Sequence, residues 1–261
     1  MKKYGSEWKR RIKAGEFLVG GHVFLPNPAM AEAMACFGYE YLWIDGEHGA
    51  YDKETMFAHL TAVNGAGAGA FVRVTANEPA LMKPALEMGP DGIIVPMVNT
   101  AAEAAAFISA CTYPPRGTRG FGPRRASRYG VMGDKEYLET IDDSLVKIIQ
   151  IEHRQAAEHI DEILDVQGID AVVIGPYDFS GSMGLLGQLQ HPDVLEKIEI
   201  VLKCCKARKI PCGFSTGSAN TDYLKYWLDK KIDFIFCGDD IDFVKKGTEA
   251  TLKKLADLRK K

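Results

Sequence analysis

The sequence predicts a (β/α)8 barrel, a TIM barrel, formed by one domain that spans residues 1–261. Eight short, β-rich apolar runs are separated by longer segments with helical periodicity, and no Pro/Gly/Ser-rich linker or shift in composition divides the chain. Near-continuous apolar strands joined by helices are typical of a parallel sheet that is buried on both faces. Eight such units in 261 residues match a closed barrel. A doubly wound open sheet is the alternative.

The predicted strands all combine β-branched or aromatic residues with turn signals at their ends. They cover 18–25, 41–45, 70–74, 92–97, 146–152, 171–175, 212–215 and 234–238. Helices are predicted between them, for example over 28–38 and 191–209. In the second of these, Val194, Ile198 and Val201 fall on one face, and Pro192 suits a first turn. The N-terminal residues 1–17 predict a short amphipathic helix.

The composition argues against nucleic-acid and membrane roles. The formal net charge is −3 and the pI is near 6.1, so the chain has no strongly basic field. No apolar run reaches the roughly 18 residues that a membrane-spanning helix needs. The basic N-terminus lacks the apolar stretch of a signal peptide, and the six cysteines form no C-x-x-C pair. We therefore expect a cytoplasmic protein with reduced thiols.

Ionisable residues follow several predicted strands at the point where each strand ends. The segment WIDGEH ends the second strand, and Arg73 ends the third. Gln150 and Glu152 end the fifth strand, and Asp178 follows the sixth. Any one of these could simply mark where the chain meets water. Because a barrel places its catalytic groups at the carboxyl ends of its strands, four such positions together predict an active site.

Two carboxylates on neighbouring strands suit a hard divalent cation. Glu152 and Asp178 come from adjacent strands, with few histidines nearby, and oxygen ligands favour Mg²⁺ or Mn²⁺. A 2-oxo acid could complete the coordination through its carboxylate and keto oxygens. The cation would then stabilise the enolate formed when a proton leaves C3.

Arg73 and His48 are the candidates for charge stabilisation and proton transfer. The guanidinium of Arg73 would lie near the developing enolate oxygen. His48 has the intrinsic pKa to move the proton if Asp45 or Glu87 orients it. Alternatively, His48 only forms a salt bridge or caps a helix, and Glu87 is a solvated helix residue.

Two loops are further candidates for substrate contacts. The long connection 98–145 contains Arg116, Arg119, Arg124, Arg125 and Arg128, which could bind an acidic partner or form salt bridges between subunits. Residues 215–218 follow the seventh strand, and Ser215 is the candidate there for lining the substrate pocket. Turn formation explains Gly217 and Ser218 equally well.

Six segments in order resemble one known family. They are WIDGEHGAYD, FVRV, GIIVPMV, PPRGTRGFG with RASRYG, IIQIE, and IGPYDFSGSMG with HPDV. Together they cover nearly the whole chain and resemble the HpcH/HpaI-type class II pyruvate aldolases. The resemblance implies a barrel whose C-terminal helix is swapped between subunits, usually in a homohexamer. It also implies a reversible, metal-dependent aldol reaction between the enolate of pyruvate and an aldehyde.

The resemblance also implies residue roles. Glu152 and Asp178 would bind Mg²⁺, Mn²⁺ or Co²⁺, and His48 would act as acid and base through a metal-bound water, helped by Asp45. Arg73 would contact the keto oxygen of pyruvate. The backbone N–H groups around Tyr177 and Asp178 would hold the pyruvate carboxylate, and Gln150 would support the site. Glu87 is at the position of the acid that assists the histidine, where the family often has aspartate.

The sequence leaves two alternatives to an aldolase. GPRRASRYG differs from the ALARAS form of the best-known aldolases, so the resemblance does not define the second substrate. An enzyme with the same scaffold could condense a 2-oxo acid enolate with an acyl thioester, as a citrate synthase does. A non-catalytic barrel that binds a small acid is the other alternative.

Overall fold

Eight parallel strands close into a barrel in the order of the sequence. The structure, a computed structural model, describes residues 4–217 and 221–259. The strands are β1 (Leu18–Val23), β2 (Tyr41–Asp45), β3 (Gly69–Arg73), β4 (Gly92–Val95), β5 (Val146–Ile151), β6 (Ala171–Ile174), β7 (Cys212–Thr216) and β8 (Phe234–Asp239). Each strand pairs with the next, and β8 pairs with β1. The predicted barrel is confirmed, and the open sheet is excluded.

Helices connect the strands and enclose the barrel. They are α1 (Tyr4–Lys13), α2 (Pro28–Cys36), α3 (Lys53–Gly65), α4 (Pro79–Glu87), α5 (Ala101–Cys111), α6 (Asp134–Ser144), α7 (Arg154–Glu158), α8 (Ile160–Leu164), α9 (Pro176–Ser182), α10 (Pro192–Arg208), α11 (Thr221–Asp229) and α12 (Asp240–Arg259), with an irregular 3₁₀ segment at Arg125–Gly130. The predicted helices near 28–38 and 191–209 are confirmed. Asn27 caps α2 through its side chain, and Pro28 follows at the first helical position.

Aromatic side chains close the amino end of the barrel. Helix α1 places Trp8 beneath the strands, where its ring meets Phe71 at 5.9 Å and Phe234 at 5.4 Å, both edge-on. Trp8 is 1% exposed. Removing such a side chain typically costs ~3–5 kcal/mol. The barrel interior is therefore a packed core at this end, and a substrate can enter only from the carboxyl ends of the strands.

The arginine-rich loop, residues 116–128, lies at the amino end of the barrel. Arg125 donates hydrogen bonds to the carbonyl oxygens of Met88 (2.9 Å) and Gly89 (3.1 Å), just after α4. It also donates to the carbonyl oxygen of Leu60 in α3 (3.3 Å). Because these helices run opposite to the strands, their ends lie away from the barrel mouth. The loop therefore does not bind a substrate at the mouth of its own barrel, and contact with another subunit stays a prediction.

The C-terminal helix α12 extends away from the barrel. Asp240 is buried and accepts hydrogen bonds from the backbone N–H groups of Phe24 (3.1 Å) and Leu25 (2.9 Å), which anchors the start of the helix. The described remainder of α12, residues 241–259, contains no buried side chain. No helix in the described part of the chain has the length and apolar character needed to cross a membrane.

Candidate active site

Asp45 and Arg73 form a buried ion pair at the carboxyl ends of β2 and β3. The strand register places the two residues opposite each other. Arg73 Nε donates to Asp45 Oδ1 at 3.1 Å, and Arg73 Nη2 donates to Asp45 Oδ2. Asp45 is fully buried, Arg73 is 5% exposed, and the guanidinium lies 5.1 Å from the ring centroid of Trp43. This pair fixes a positive charge at the barrel mouth.

Asp45 also shapes the loop that carries His48. Its Oδ1 accepts hydrogen bonds from the backbone N–H groups of Glu47 and His48, each at 3.0 Å. The His48 side chain itself is exposed at the mouth. Asp45 therefore positions the loop of His48 through its backbone. The proton-transfer role of His48 stays a prediction.

Glu47 belongs to the same cluster and is not among the site residues predicted from the sequence. Its Oε2 lies 2.7 Å from Arg73 Nη1. Burial raises the pKa of Glu47, against the attraction of Arg73 and His48. Its position between Asp45 and His48 in WIDGEH was the available signal. A strand-end pattern marks the loop, however, and does not tell which of its acids turns inward.

Glu152 is a buried carboxylate that faces two others. It is 2% exposed, Oε1 accepts from the backbone N–H of Met97 at 2.8 Å, and Oε2 accepts from Gln150 Nε2 at 2.5 Å. Burial raises the pKa of Glu152 to about 8, and the negative charges of Glu47 and Asp178 contribute to the increase. Met97 and Arg73 act in the opposite direction. At neutral pH this carboxyl group therefore binds a proton unless a positive charge lies beside it.

Asp178 and Tyr177 lie in the first turn of α9, directly after β6, and both are exposed at the mouth. The loop before them leaves space only for a glycine. A Cβ added at Gly175 would lie 2.6 Å from Glu152 Oε2 and from Gln150 Nε2. Such separations are too short for any side chain, so Gly175 lets β6 approach these polar groups. The described residues contain no cluster of three or more metal-ligating side chains.

Glu87 does not belong to this cluster within one chain. It is the last residue of α4, which begins after β3 and returns towards the start of β4. Its Oε1 would lie 2.8 Å from a Cβ added at Gly122, in the arginine-rich loop at the amino end. Within one chain Glu87 does not reach His48, and its assistance to that histidine stays a prediction. The sequence places Glu87 after a strand, but a whole helix separates it from the strand end.

Ser215 lies in β7 and is partly exposed, and its Oγ is 2.8 Å from His22 Nε2. His22 lies in β1 and is 3% exposed. Nothing local in the sequence distinguishes His22 from other strand residues. The predicted turn position Ser218 lies outside the described residues.

The cluster places acidic groups, a fixed positive charge and a histidine at one end of the barrel. The carboxyl groups of Glu152 and Asp178 follow β5 and β6, Arg73 supplies a fixed positive charge that Glu47 contacts, and the side chain of His48 is exposed beside them. This combination suits a reaction in which a proton leaves a carbon next to a carbonyl group.

The family model for HpcH/HpaI aldolase/citrate lyase matches residues 20–242, which include every strand-end residue described above. The chain belongs to the HpcH/HpaI aldolase/citrate lyase family. The resemblance that the motifs predicted is therefore confirmed.

Full-length relatives of this family member are named aldolases, which are carbon–carbon lyases. The 5-keto-4-deoxy-D-glucarate aldolase of Salmonella arizonae is 32% identical over 259 residues, covering 99% of this chain and 98% of that protein. Two solved structures agree in fold. An HpcH/HpaI aldolase/citrate lyase family protein from Burkholderia cenocepacia J2315 superimposes with a TM-score of 0.90 at 29% identity, covering 96% of this chain and 99% of that one. The HpcH/HpaI aldolase from Desulfitobacterium hafniense DCB-2 gives 0.87 at 29% identity, with 95% of both chains covered.

Proposed function

We propose that this protein is a divalent-metal-dependent aldolase that reversibly cleaves a 4-hydroxy-2-oxo acid to pyruvate and an aldehyde. The observation that carries the proposal is the buried carboxylate of Glu152, which faces Asp178 and Glu47 while Arg73 is already paired with Asp45. Membership in a family whose full-length relatives are named aldolases supports the reaction type.

The residues at the mouth fit a divalent cation. A buried carboxyl group with a raised pKa and two acidic neighbours lacks a counter-charge, and a cation would supply it. Glu152 and Asp178 would hold Mg²⁺, Mn²⁺ or Co²⁺, and substrate and water oxygens would complete the shell. The bound cation would supply Lewis-acid stabilisation of negative charge on the substrate.

Residues of the chain itself stabilise charge, move the proton and orient the site. Arg73, held rigid by Asp45, places its charge where the keto oxygen becomes negative. His48 moves the proton at C3 of pyruvate, and its exposed position at the mouth leaves room for substrate or water. Gln150 donates to Glu152 and fixes the orientation of that carboxylate. The backbone around Tyr177 and Asp178 holds the pyruvate carboxylate in this proposal.

The second substrate is an aldehyde in this proposal. The names of the full-length relatives favour an aldehyde over an acyl thioester, and they favour an enzyme over a non-catalytic barrel. A sugar-acid derivative of the kind named for these relatives is the class of 2-oxo acid that we would test first. The six cysteines are all free, which suits the predicted cytoplasmic location.

The experiment that tests this proposal follows exchange of pyruvate methyl protons with D₂O by NMR, because it needs no assumption about the aldehyde. We expect exchange with added Mg²⁺, loss after chelation, and recovery when the metal is restored. Glu152→Gln should abolish it, and the exposed Glu162→Gln should not. Absence of exchange in the metal-loaded wild type would show that pyruvate is not the donor.

We also infer that α12 packs against a second copy of this chain. Its exposed apolar residues include Ile241, Val244, Leu252 and Leu255, which recur at helical spacing on one side. On the barrel itself, Val19 points outward from β1 and is 41% exposed. If α12 were exchanged between subunits, a single chain would show both an uncovered β1 and an uncovered α12, as seen here. The homohexamer implied by the family resemblance is our proposal for the assembly.

A further inference from the structure

His22 is a buried histidine inside the barrel, outside the set of residues assigned above. Its ring packs 5.2 Å from Trp43, 6.0 Å from Phe236 and 5.9 Å from Phe24, measured between ring centroids. Burial lowers the pKa of His22 to about 4, and the charge of Arg73 acts in the same direction, against Asp45 and Asp239. The imidazole is therefore neutral at physiological pH and carries one proton.

The hydrogen bonds of His22 determine where that proton lies. Nδ1 is 3.1 Å from the carbonyl oxygen of Gly238, which can only accept a hydrogen bond. The proton is therefore on Nδ1, and Nε2 has a free lone pair. Because Nε2 lies 2.8 Å from Ser215 Oγ, the hydroxyl of Ser215 must be the donor in that contact. The only hydrogen of the Ser215 hydroxyl points at His22, and its oxygen can still accept a hydrogen bond.

Ser215 lies at the level of the proposed metal site. Phe214 points outward and stacks on Trp227 at 4.3 Å, so the next residue, Ser215, points into the barrel. Ile174 of β6 pairs with Phe214, which puts Gly175 level with Ser215 on the neighbouring strand. Gly175 is the residue that borders Glu152. Neighbouring strands are about 4.8 Å apart, and Ser215 is partly exposed, so a bound substrate can reach its oxygen.

We propose that Ser215 Oγ accepts a hydrogen bond from a hydroxyl group on the acceptor aldehyde, and that His22 is the positioning residue that makes Ser215 an acceptor. This assignment rests on the proposed aldolase function. Carbonyl and carboxylate oxygens are acceptors themselves and find no donor at Ser215, whereas a hydroxyl group does. The pair therefore selects hydroxyaldehydes over aldehydes of similar size that lack the hydroxyl.

The pair recognises this hydroxyl and does not remove its proton. Passing a proton from substrate through Ser215 to His22 would create an imidazolium among Trp43, Phe236 and Phe24. A charged ring in such an apolar place is costly, so His22 remains neutral throughout the reaction.

The first test compares glycolaldehyde with propionaldehyde, which has a methyl group in place of the hydroxyl, as acceptors for pyruvate, and measures kcat/KM for each. We expect the wild type to prefer glycolaldehyde. Ser215→Ala should lower the preference about fivefold, the factor expected for one neutral hydrogen bond. Ser215→Thr, which keeps the hydroxyl, should retain the preference, and His22→Phe should reduce it only in part, because the freed Ser215 hydroxyl rotates but can still accept. Ser109→Ala, outside the barrel mouth, is the matched control.

An equal loss with both aldehydes in Ser215→Ala would overturn the inference, as would a wild type that prefers propionaldehyde. Failure of the proposed function would be recognised separately, as the absence of proton exchange into pyruvate.

The second test observes the tautomer directly and does not depend on turnover. ¹⁵N NMR of histidine-labelled protein, with the His22 signals identified by their loss in His22→Phe, should show a protonated Nδ1 and an unprotonated Nε2 from pH 6 to 8. A protonated Nε2 would overturn the inference, because Ser215 would then be the acceptor from His22 and its hydrogen would be free to point at the substrate.

Discussion

Arg73 donates to both carboxylate oxygens of Asp45, through Nε at 3.1 Å and through Nη2, in a pair that is almost completely buried. The two residues end neighbouring strands and lie in register. Asp45 also accepts from the backbone of Glu47 and His48. One carboxylate therefore orients the fixed cation of the site and the loop that carries the proposed acid–base residue.

Asp45→Asn should impair both stability and chemistry. The amide places an N–H₂ group against a guanidinium that only donates, which leaves Glu47 as the remaining carboxylate partner of this buried charge. Breaking a buried pair in this way costs roughly 3 kcal/mol. We expect a lower free energy of unfolding in urea and a large loss of pyruvate proton exchange. Asp257→Asn, on the exposed part of α12, should change neither. An Asp45→Asn protein with wild-type stability would contradict this account of the pair.

The sequence predicted those features that depend on one strand and the residue after it. The eight strands, and the positions of Asp45, Arg73 and Glu152 at their ends, follow from apolar runs that stop at an ionisable residue. The position of Glu87 does not follow in this way, because α4 carries it to the opposite end of the barrel. The contact of His22 with Ser215 spans 193 residues and exists only because β8 closes onto β1. No local pattern encodes such a contact.

Met97 should control the position of Glu152 through its backbone. Its φ is 54°, in the left-handed region. The N–H of Met97 donates to Glu152, and the next N–H, of Val98, donates to the carbonyl oxygen of Gln150 at 3.3 Å. Successive N–H groups of an extended strand point to opposite sides, so this turn is what brings both towards β5.

A β-branched residue is strained in the left-handed region, whereas glycine is not. Met97→Val should therefore weaken Mn²⁺ binding about tenfold, while Met97→Gly, which keeps the N–H, should stay within about twofold of wild type. Titration of Mn²⁺ followed by EPR measures both. Equal affinities for the two variants would show that the backbone conformation at Met97 has no influence on the site.

Charges on the apolar side of α12 should dissociate the assembly. Leu252 and Leu255 are 61% and 53% exposed in the single chain. If α12 packs on another subunit, Leu252→Glu with Leu255→Glu would bury two unpaired charges, which is strongly unfavourable. Sedimentation velocity should then show smaller species than the wild type forms. Glu249→Lys, outside the apolar stripe, is the control and should keep the assembly. A wild type that sediments as a monomer would rule out the exchange.

Asp91, just before β4, should make stability depend on pH. Its Oδ2 accepts hydrogen bonds from Ala70 N–H at 2.9 Å and from Asn64 Nδ2 at 2.8 Å. Burial is the larger effect and raises the pKa of Asp91 from 3.8 to about 6, although these hydrogen bonds and Arg125 oppose it. The folded protein therefore binds the Asp91 proton more tightly than the unfolded chain does. This contribution to stability is complete below the unfolded pKa and is lost as the pH rises to about 6.

Comparison with Asp91→Asn isolates this effect, because the amide keeps an acceptor oxygen and does not titrate. The full shift corresponds to ~3 kcal/mol, and partial exposure of the residue reduces it to ~2 kcal/mol. Between pH 4 and pH 7, the free energy of unfolding of the wild type should fall by about that amount relative to the variant, as measured in urea. Above pH 7 the difference should be constant, since the carboxyl group is ionised in both states. A difference that does not change between pH 4 and 7 would mean that Asp91 has an ordinary pKa and that its hydrogen bonds and Arg125 fully offset its burial.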